Sequence, residues 1–196
     1  MITAEINKNG YDCDLNHIDT SKITDMSYLF FRTPFKGDIS EWNVSKVEDM
    51  TCMFRMSEFN GDISMWDVSS AINMSNMFSR SDFNGDISDW DVSNVEDMRN
   101  MFFKCEQLKS VGDLYDWNVS NVKYMSRMFY YCKQLKSVGD LSNWDVSDVE
   151  DMSTMFENCK QLTSVGDLSN WNISHVKYMS AMFIKSGITN IPNWYK

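Results

Sequence analysis

The sequence predicts an α/β solenoid, a stack of 24- and 27-residue coils with short strands and short helical turns. The phrase W-D-V-S-N-V-E-D-M-R-N-M-F, which begins at Trp90, returns in close form at five other positions: Trp42, Trp66, Trp117, Trp144 and Trp171. A degenerate copy with Ile18 in place of the tryptophan precedes them. Successive copies are 24 residues apart as far as Trp90 and 27 residues apart from there onward.

Repeat periods of this length favour leucine-rich-repeat-like coils over two-helix repeats, which need more chain. Seven units exceed the minimum of about three that a stable stack needs. We therefore expect a single domain with an N-terminal cap at residues 1–17, a seven-unit solenoid at 18–186 and a C-terminal cap at 187–196. Within the first cap, Tyr11, Cys13 and Leu15 alternate with polar residues, which predicts a short capping strand.

When the units are aligned, equivalent positions form columns. Two methionine-rich columns and one phenylalanine column define the predicted core of each unit. The two columns contain thirteen of the sixteen methionines, at eight and eleven residues after the tryptophan, and a phenylalanine follows the second. Because positions i, i+3 and i+4 share one face of a helix, this spacing predicts a short helical turn. A methionine stripe can also form an adaptable binding groove or a metal site, but its regularity here favours core.

The connecting half of each unit occurs in a short and a long form. The short form reads F-[KN]-G-D-I-S and begins at Phe35, Phe59 and Phe83; the long form reads C-x-Q-L-x-S-V-G-D-L and begins at Cys105, Cys132 and Cys159. The apolar run of the long form predicts a strand that pairs with its copy in the next coil, about 4.8 Å away. The V-S-x-V piece before the methionines predicts a second strand.

Three polar columns also have predicted roles. The Gly-Asp pair before each tryptophan predicts a turn whose carboxylate accepts backbone N–H groups; a calcium site is disfavoured because each coil supplies one such aspartate. The cysteines of the long form predict a buried, reduced ladder. A further column alternates in sign from coil to coil: Glu96, Lys123, Glu150 and Lys177. Each lysine is therefore expected between the carboxylates of neighbouring coils.

The net charge of −10 argues against a nucleic-acid partner, whose backbone needs a basic patch. No apolar run approaches the ~20 residues of a membrane span, so we expect no membrane insertion. The first residues lack the basic and apolar regions of a signal peptide, and the five cysteines lack C-x-x-C spacing, which fits a reducing compartment. These features predict a cytoplasmic protein, with the cell surface as the alternative if a leader was removed.

The sequence offers no constellation for catalysis. His17 and His175, the only histidines, occupy unrelated positions in different units. No H-E-x-x-H motif, P-loop or dinucleotide fingerprint occurs, and the carboxylates belong to repeat columns. We therefore expect no catalytic residue, no metal site and no cofactor.

Solenoids bind partners through side chains that the repeat does not dictate. The residues after the Met-Phe pair vary most, and there Phe103, Tyr130 and Tyr131 should lie together on neighbouring coils. Tyr124 lies nearby in sequence, and Tyr178 occupies the same column as Tyr124. These five aromatic residues are the predicted protein-binding set, since aromatic residues are enriched in interface hot spots. The open alternative is that the rings pack over the junction between the short and long forms.

The motifs M-F-x-x-C-x-x-L-x-S-V, from Met128 and Met155, and W-[DN]-V-S-x-V-x-x-M resemble the BspA-like, Treponema-type leucine-rich repeats of bacterial surface proteins and mycoplasma lipoproteins. The resemblance covers residues 18–194. It implies a right-handed solenoid with short strands on one side and short helical turns on another. It also implies an adhesive or protein-binding role, and similar repeats occur in phage and other mobile-element proteins.

Together these patterns predict a non-enzymatic solenoid that binds a host or cellular protein, as a phage or mobile-element factor would. The alternative is a leaderless fragment of a bacterial surface adhesin. An open end of a solenoid can pair edge to edge with another copy, which leaves a homodimer open.

Overall fold

The computed structural model describes residues 2–195, which form a repeat solenoid. Parallel β-bridges connect one position of each coil to the next: Asp25, Asp49, Asn73, Asp97, Tyr124, Asp151 and Tyr178. The bridged residues are 24 apart up to Asp97 and 27 apart beyond it. The long form adds one more bridge, from Ser110 to Ser137. The Ser110–Ser137 bridge lies within the predicted strand of the long form, but the predicted V-S-x-V strand is a turn, as where the Val122 N–H donates to the Val119 carbonyl at 2.9 Å. The main ladder follows two residues later, and the chain enters another turn two residues after each of its bridges, so the bridges stay isolated.

Residues 2–195 contain two short helices, the α-helix α1 at Ile2–Asn9 and a 3-10 helix at Leu168–Asn170. The sequence analysis predicted neither. An acidic residue in the first turn of α1 and a basic residue in its last turn both suit the helix dipole. The helix is followed by Gly10, which has a φ of 89° and donates its N–H to the Ile6 carbonyl at 2.8 Å.

The residues that follow α1 bond to the first coil without forming the predicted capping strand. The N–H of Lys36 donates to the Tyr11 carbonyl, and the N–H of Leu15 donates to the Asp38 carbonyl, both at 2.9 Å. Turns at residues 11–12 and 16–17 flank these bonds and prevent a longer ladder.

The C-terminal residues cover the last coil with two aromatic side chains. The indole of Trp194 donates to the Leu168 carbonyl at 2.8 Å, and the hydroxyl of Tyr195 accepts the N–H of Met182 at 3.0 Å. The division into caps and solenoid at residues 17 and 186 stays a prediction, and residues 1 and 196 lie outside the described part of the chain.

The Met-Phe segments form overlapping β-turns instead of the predicted helical turns. In the segment from Met98, alternate N–H groups donate to carbonyls of the next coil at 2.7–3.0 Å: Met98, Asn100, Phe102 and Lys104. The N–H groups of Met101, Phe103 and Cys105 donate to the residue three positions earlier, at 3.0–3.2 Å. A helix would direct every N–H along its own axis, so this alternation excludes one.

Each Met-Phe segment contains two residues other than glycine with positive φ, between 54° and 64°. They are Tyr28, Arg32, Cys52, Met56, Asn76, Arg80, Asn100, Lys104, Arg127, Tyr131, Thr154, Asn158, Ala181 and Lys185. Each occupies the third position of a turn, where a type II turn requires positive φ. Residues other than glycine and asparagine rarely adopt this region of φ. The hydrogen bonds and packing between neighbouring coils must therefore compensate for the backbone strain of these turns.

The three predicted core columns are buried, apart from Leu29 and Met179 in the end coils, which are partly buried. The six tryptophans from Trp42 to Trp171 are buried and Trp194 is partly buried. The indole N–H of each of the seven donates to a carbonyl of the preceding coil at 2.8–3.2 Å. This ladder explains why the repeat uses tryptophan: the ring fills the core and its N–H satisfies a buried carbonyl.

Candidate protein-binding surface

Three of the predicted binding residues form one continuous group of rings on the Met-Phe turns. The rings of Phe103 and Tyr130 stack at a centroid distance of 5.1 Å and an angle of 9°, although the residues are on different coils. Tyr131 stacks on Tyr130 at 5.8 Å. All three side chains are half-buried. We call Phe103, Tyr130 and Tyr131 the aromatic cluster.

The other two predicted residues, Tyr124 and Tyr178, lie on the bridge ladder, outside the aromatic cluster. The ring of Tyr124 packs under the guanidinium of Arg99, with 4.7 Å from Cζ to the ring centroid. Tyr178 is 64% exposed and connects through the bridge at Asp151 to Tyr124 two coils earlier. The structure therefore brings together three of the five predicted residues.

Cations surround the aromatic cluster, a feature that the sequence analysis missed. The Nζ of Lys133 lies 4.3 Å from the ring centroid of Tyr131, and the Nζ of Lys104 lies 5.3 Å from that of Phe103. The guanidinium of Arg80 lies 5.7 Å from the Phe103 centroid. Cation–π contacts of this length are attractive. The signal in the sequence is the basic residue at the second position after the Met-Phe pair in several units.

The aromatic cluster also borders the junction between the short and long forms. Its position is therefore compatible with both interpretations of the rings, a protein-binding surface and packing over the junction. Arg80 belongs to the last short unit, whereas Phe103 belongs to the first long one. Between their turns lies a surface cavity of about 440 Å³, lined by Arg80, Ser81, Asp82, Lys104, Glu106 and Gln107. The cavity is polar and faces solvent beside the rings.

The cysteine ladder is buried and reduced, as predicted. All five cysteines are free, and the thiols of Cys105, Cys132 and Cys159 donate to phenylalanine carbonyls of the preceding coil at 2.7–3.0 Å. Burial raises the pKa of Cys105 and Cys159 to about 12 and that of Cys132 well above 9.0. These thiols are therefore not nucleophiles near neutral pH.

The Gly-Asp carboxylates form the predicted turns. Each of the six accepts the backbone N–H of the residue two positions later, at 2.9–3.1 Å. At Asp62 the Ser64 N–H and then the Ser64 hydroxyl lower the carboxyl pKa. Within residues 2–195, no group of three or more Asp, Glu, His or Cys side chains is arranged to hold a metal ion.

The alternating charge column forms ion pairs between neighbouring coils, but each lysine has one partner rather than two. Lys123 pairs with Glu96 at 2.7 Å, and Lys177 pairs with Glu150 at 2.9 Å. Among the described residues, no ion pair joins Lys123 to Glu150. Each lysine therefore reaches back to the preceding coil only.

The two histidines show no catalytic arrangement. The Nδ1 of His175 lies 2.6 Å from the Ser147 carbonyl, and His17 lies in the N-terminal region. The longest helix has eight residues, and no helix in the described part of the chain is long and apolar enough to cross a bilayer.

The repeat geometry agrees with the family to which the chain is similar. The family model described as "Mycoplasma protein of unknown function, DUF285" matches residues 3–112, 66–164 and 108–194. The chain belongs to the DUF285 family. The match confirms the BspA-like resemblance that the repeat motifs indicated.

A solved leucine-rich repeat protein from Eubacterium ventriosum is similar in structure to this DUF285 chain, with a TM-score of 0.57 and 16% sequence identity. The similarity covers 96% of this chain and 46% of that one, so the chain spans about half the length of the solved protein. At this identity the likeness shows the fold alone, a repeat solenoid. No curated protein matches the chain.

Proposed function

We propose that this DUF285 chain is a non-enzymatic solenoid that binds a host or cellular protein through the aromatic cluster. The observation that carries the proposal is the stack of Phe103, Tyr130 and Tyr131 across two coils, half-exposed and bordered by cations. The repeat does not require these rings, since other units place arginine, serine or glutamate at the first of the two positions. Large rigid rings held in place in advance lose little entropy on binding, which suits a hot spot.

The proposed setting is intracellular, as for a phage or mobile-element factor that occupies a host protein. Three buried thiols without a disulfide support a reducing compartment. A second candidate, an adhesin fragment of a bacterial surface protein, is supported by the resemblance to BspA-like surface repeats.

The test is capture of proteins from a cell lysate on the immobilised chain, with mass-spectrometric identification. The Tyr130→Asp/Tyr131→Asp variant places a charge on the aromatic cluster, and Asp tolerates the positive φ of Tyr131. The Tyr115→Asp variant is the matched control, because Tyr115 is 42% exposed and belongs to the turn before Trp117. Circular dichroism should show that both variants keep the wild-type fold.

We expect one protein to be retained by the wild type and the control and lost by the double variant. Purified, that protein should bind the chain with the same dependence on Tyr130 and Tyr131. Retention that is equal on all three chains would contradict the proposed surface. Attachment to intact cells or matrix, without retention from the lysate, would favour the adhesin.

A further inference from the structure

The charges of the chain are strongly segregated. We define the turn strip as the Met-Phe turns of all seven coils: residues 27–32, 51–56, 75–80, 99–104, 126–131, 153–158 and 180–185. The strip carries seven basic residues and one acidic residue, a net charge of +6, although the whole chain carries −10. The basic residues are Arg32, Arg55, Arg80, Arg99, Lys104, Arg127 and Lys185, which include all five arginines of the chain.

The turn strip is one continuous surface, because each segment bonds directly to the next. The N–H of Asn76 donates to the Arg99 carbonyl at 2.8 Å, and the N–H of Asn100 donates to the Ser126 carbonyl at 3.0 Å. Equivalent bonds join the other segments. Six of the seven segments carry at least one of the cations, with two in the segment of Arg99 and Lys104 and none in the segment of Glu157.

Most of these cations have no acidic partner. Among the described residues, Arg99 is the one cation of the strip that forms an ion pair, with Asp97. Five of the seven are exposed, and Arg55 and Lys104 are half-buried. The Nε of Arg55 is buried and has no hydrogen-bond partner. Unpaired guanidinium groups are well suited to carboxylates, which they bind through two parallel hydrogen bonds.

We propose that the turn strip binds an extended acidic polypeptide segment that crosses the coils and is anchored on the aromatic cluster. This inference rests on the proposed function and names the chemistry of its partner. Coils joined by β-bridges are about 4.8 Å apart, so seven coils extend about 29 Å, the length of about nine extended residues. Carboxylates spaced along such a segment meet the unpaired cations, and an apolar or aromatic side chain meets the rings of Phe103 and Tyr130.

The charge outside the strip favours a short acidic segment over a nucleic acid. With +6 on the strip, the remaining residues carry a net charge of −16. A long polyanion extends beyond the strip and meets this repulsive field, whereas a segment of about nine residues can contact the strip alone. Glu157, the one acidic residue of the strip, lies one coil beyond Tyr130 and limits the favourable stretch on that side.

The test selects displayed random peptides of about nine residues on the immobilised full chain and measures the selected peptides by fluorescence anisotropy. The charge variant removes three cations of the strip: Arg80→Gln/Lys104→Gln/Arg127→Gln. The matched control removes three exposed lysines elsewhere: Lys46→Gln/Lys136→Gln/Lys160→Gln. A third variant, Tyr130→Ala/Tyr131→Ala, removes the rings without changing charge.

We expect the selected peptides to be rich in Asp and Glu. The charge variant should bind them about tenfold or more weakly, because it loses charge-assisted bonds, while the control stays within about twofold. Their affinity should also fall several-fold as salt rises from about 0.05 to 0.2 M. Neutral or basic peptides that need Tyr130 and Tyr131 but not the three cations would overturn this inference and leave the proposed function standing.

Two other outcomes would also overturn the inference. If no selected peptide depends on the tyrosines, both this inference and the proposed function fail. If a single-stranded thymidine oligonucleotide displaces the acidic peptides and binds with equal or higher affinity, the strip is a nucleic-acid site instead. Each arm uses the complete folded chain, checked by circular dichroism, so a folding defect is recognised before binding is interpreted.

Discussion

Residues 18–89, here called the N-terminal half, and residues 90–186, here called the C-terminal half, enclose similar cores with different side chains. In the N-terminal half a second phenylalanine stacks on the column phenylalanine within each coil, at centroid distances of 4.1–4.5 Å: Phe30 with Phe35, Phe54 with Phe59 and Phe78 with Phe83. In the C-terminal half, three extra residues per unit bring a buried leucine and a buried valine instead, such as Leu108 and Val111. One ring and two aliphatic side chains are thus alternative fillings of the same space.

Glycine has a different role in each half, although both use a Gly-Asp turn. At Gly61 a side chain would lie 2.8 Å from the Phe59 ring, so the second phenylalanine requires glycine. At Gly139 the φ is +80°, and a side chain would also overlap Asp113 of the preceding coil. The same Gly-Asp dipeptide therefore needs glycine for packing against a ring in the N-terminal half and for its backbone conformation in the C-terminal half.

The comparison predicts that aromatic packing makes the N-terminal half more sensitive to truncation. Phe54 packs against four rings: Phe30, Phe59, Trp66 and Phe78. Phe129 packs against two: Phe102 and Phe156. Each change to alanine should cost about 3–5 kcal/mol, and Phe54→Ala should cost about 1 kcal/mol more because it loses additional ring pairs. Urea unfolding of both variants measures the difference, and an equal or reversed order would contradict the proposed difference between the halves.

The cysteine ladder should make the C-terminal half sensitive to high pH. Unfolded thiols ionise near pH 9.0, whereas burial holds Cys105 and Cys159 protonated up to about pH 12. The stabilisation is therefore complete below pH 9 and is lost as pH rises towards 12, at about 1.4 kcal/mol per pH unit for each thiol. Urea unfolding at about pH 8 and pH 10 should show this loss.

The control for this prediction comes from the N-terminal half, where serine occupies the cysteine column. The hydroxyl of Ser57 donates to the Phe54 carbonyl at 2.8 Å, so serine fits this environment. A Cys105→Ser/Cys132→Ser/Cys159→Ser variant should keep the fold and lose less stability between the two pH values than the wild type. The same pH dependence in both chains would show that other groups cause it.

Tryptophans should also differ between the halves. The indoles of Trp66 and Trp144 donate to carbonyls of the preceding coil at 3.1 and 2.8 Å. Trp144 also stacks on Trp117 and Trp171 at 6.4 Å, whereas Trp66 has a tilted contact with Phe54 at 6.2 Å. Trp66→Phe should cost about 1–2 kcal/mol for the lost hydrogen bond and packing, and Trp144→Phe about 1 kcal/mol more. Thermal unfolding of the two variants measures this difference. A larger loss of stability for Trp66→Phe than for Trp144→Phe would contradict a stabilising contribution from indole stacking.

Sequence reasoning identified the buried columns, the Gly-Asp turns and the aromatic cluster, because the repeat shows which residue types are kept at the same position in successive coils. It predicted a strand at V-S-x-V, where the structure has a turn. It did not identify the backbone of the Met-Phe segments. Buried residues at i, i+3 and i+4 occur in a helix and also in overlapping turns, and the spacing does not say where the N–H groups point. The useful signal was Asn76, Asn100 and Asn158, since asparagine tolerates positive φ.

The sequence analysis missed the positive charge of the turn strip for a different reason. A net charge of −10 is an average over the chain, and it conceals a turn strip with seven basic residues and one acidic residue. Aligning charges by column, as was done for Glu96 and Lys123, would have shown the segregation. The resemblance to BspA-like repeats could not reveal this charge segregation, because the resemblance concerns the positions that the repeat dictates, and the cations stand at variable positions.

The smallest predicted effect concerns the strained turns, where one column offers a reciprocal test. Asn76 and Thr154 occupy equivalent positions in the two halves, with φ of 58° and 54°. A β-branched residue is least suited to this conformation, and the Thr154 hydroxyl is buried without a hydrogen-bond partner. Thr154→Asn should therefore raise the free energy of unfolding by about 1 kcal/mol, and Asn76→Thr should lower it by a similar amount. A thermal shift of the same sign for both variants would contradict backbone strain as the common cause, because the two exchanges are chemically opposite.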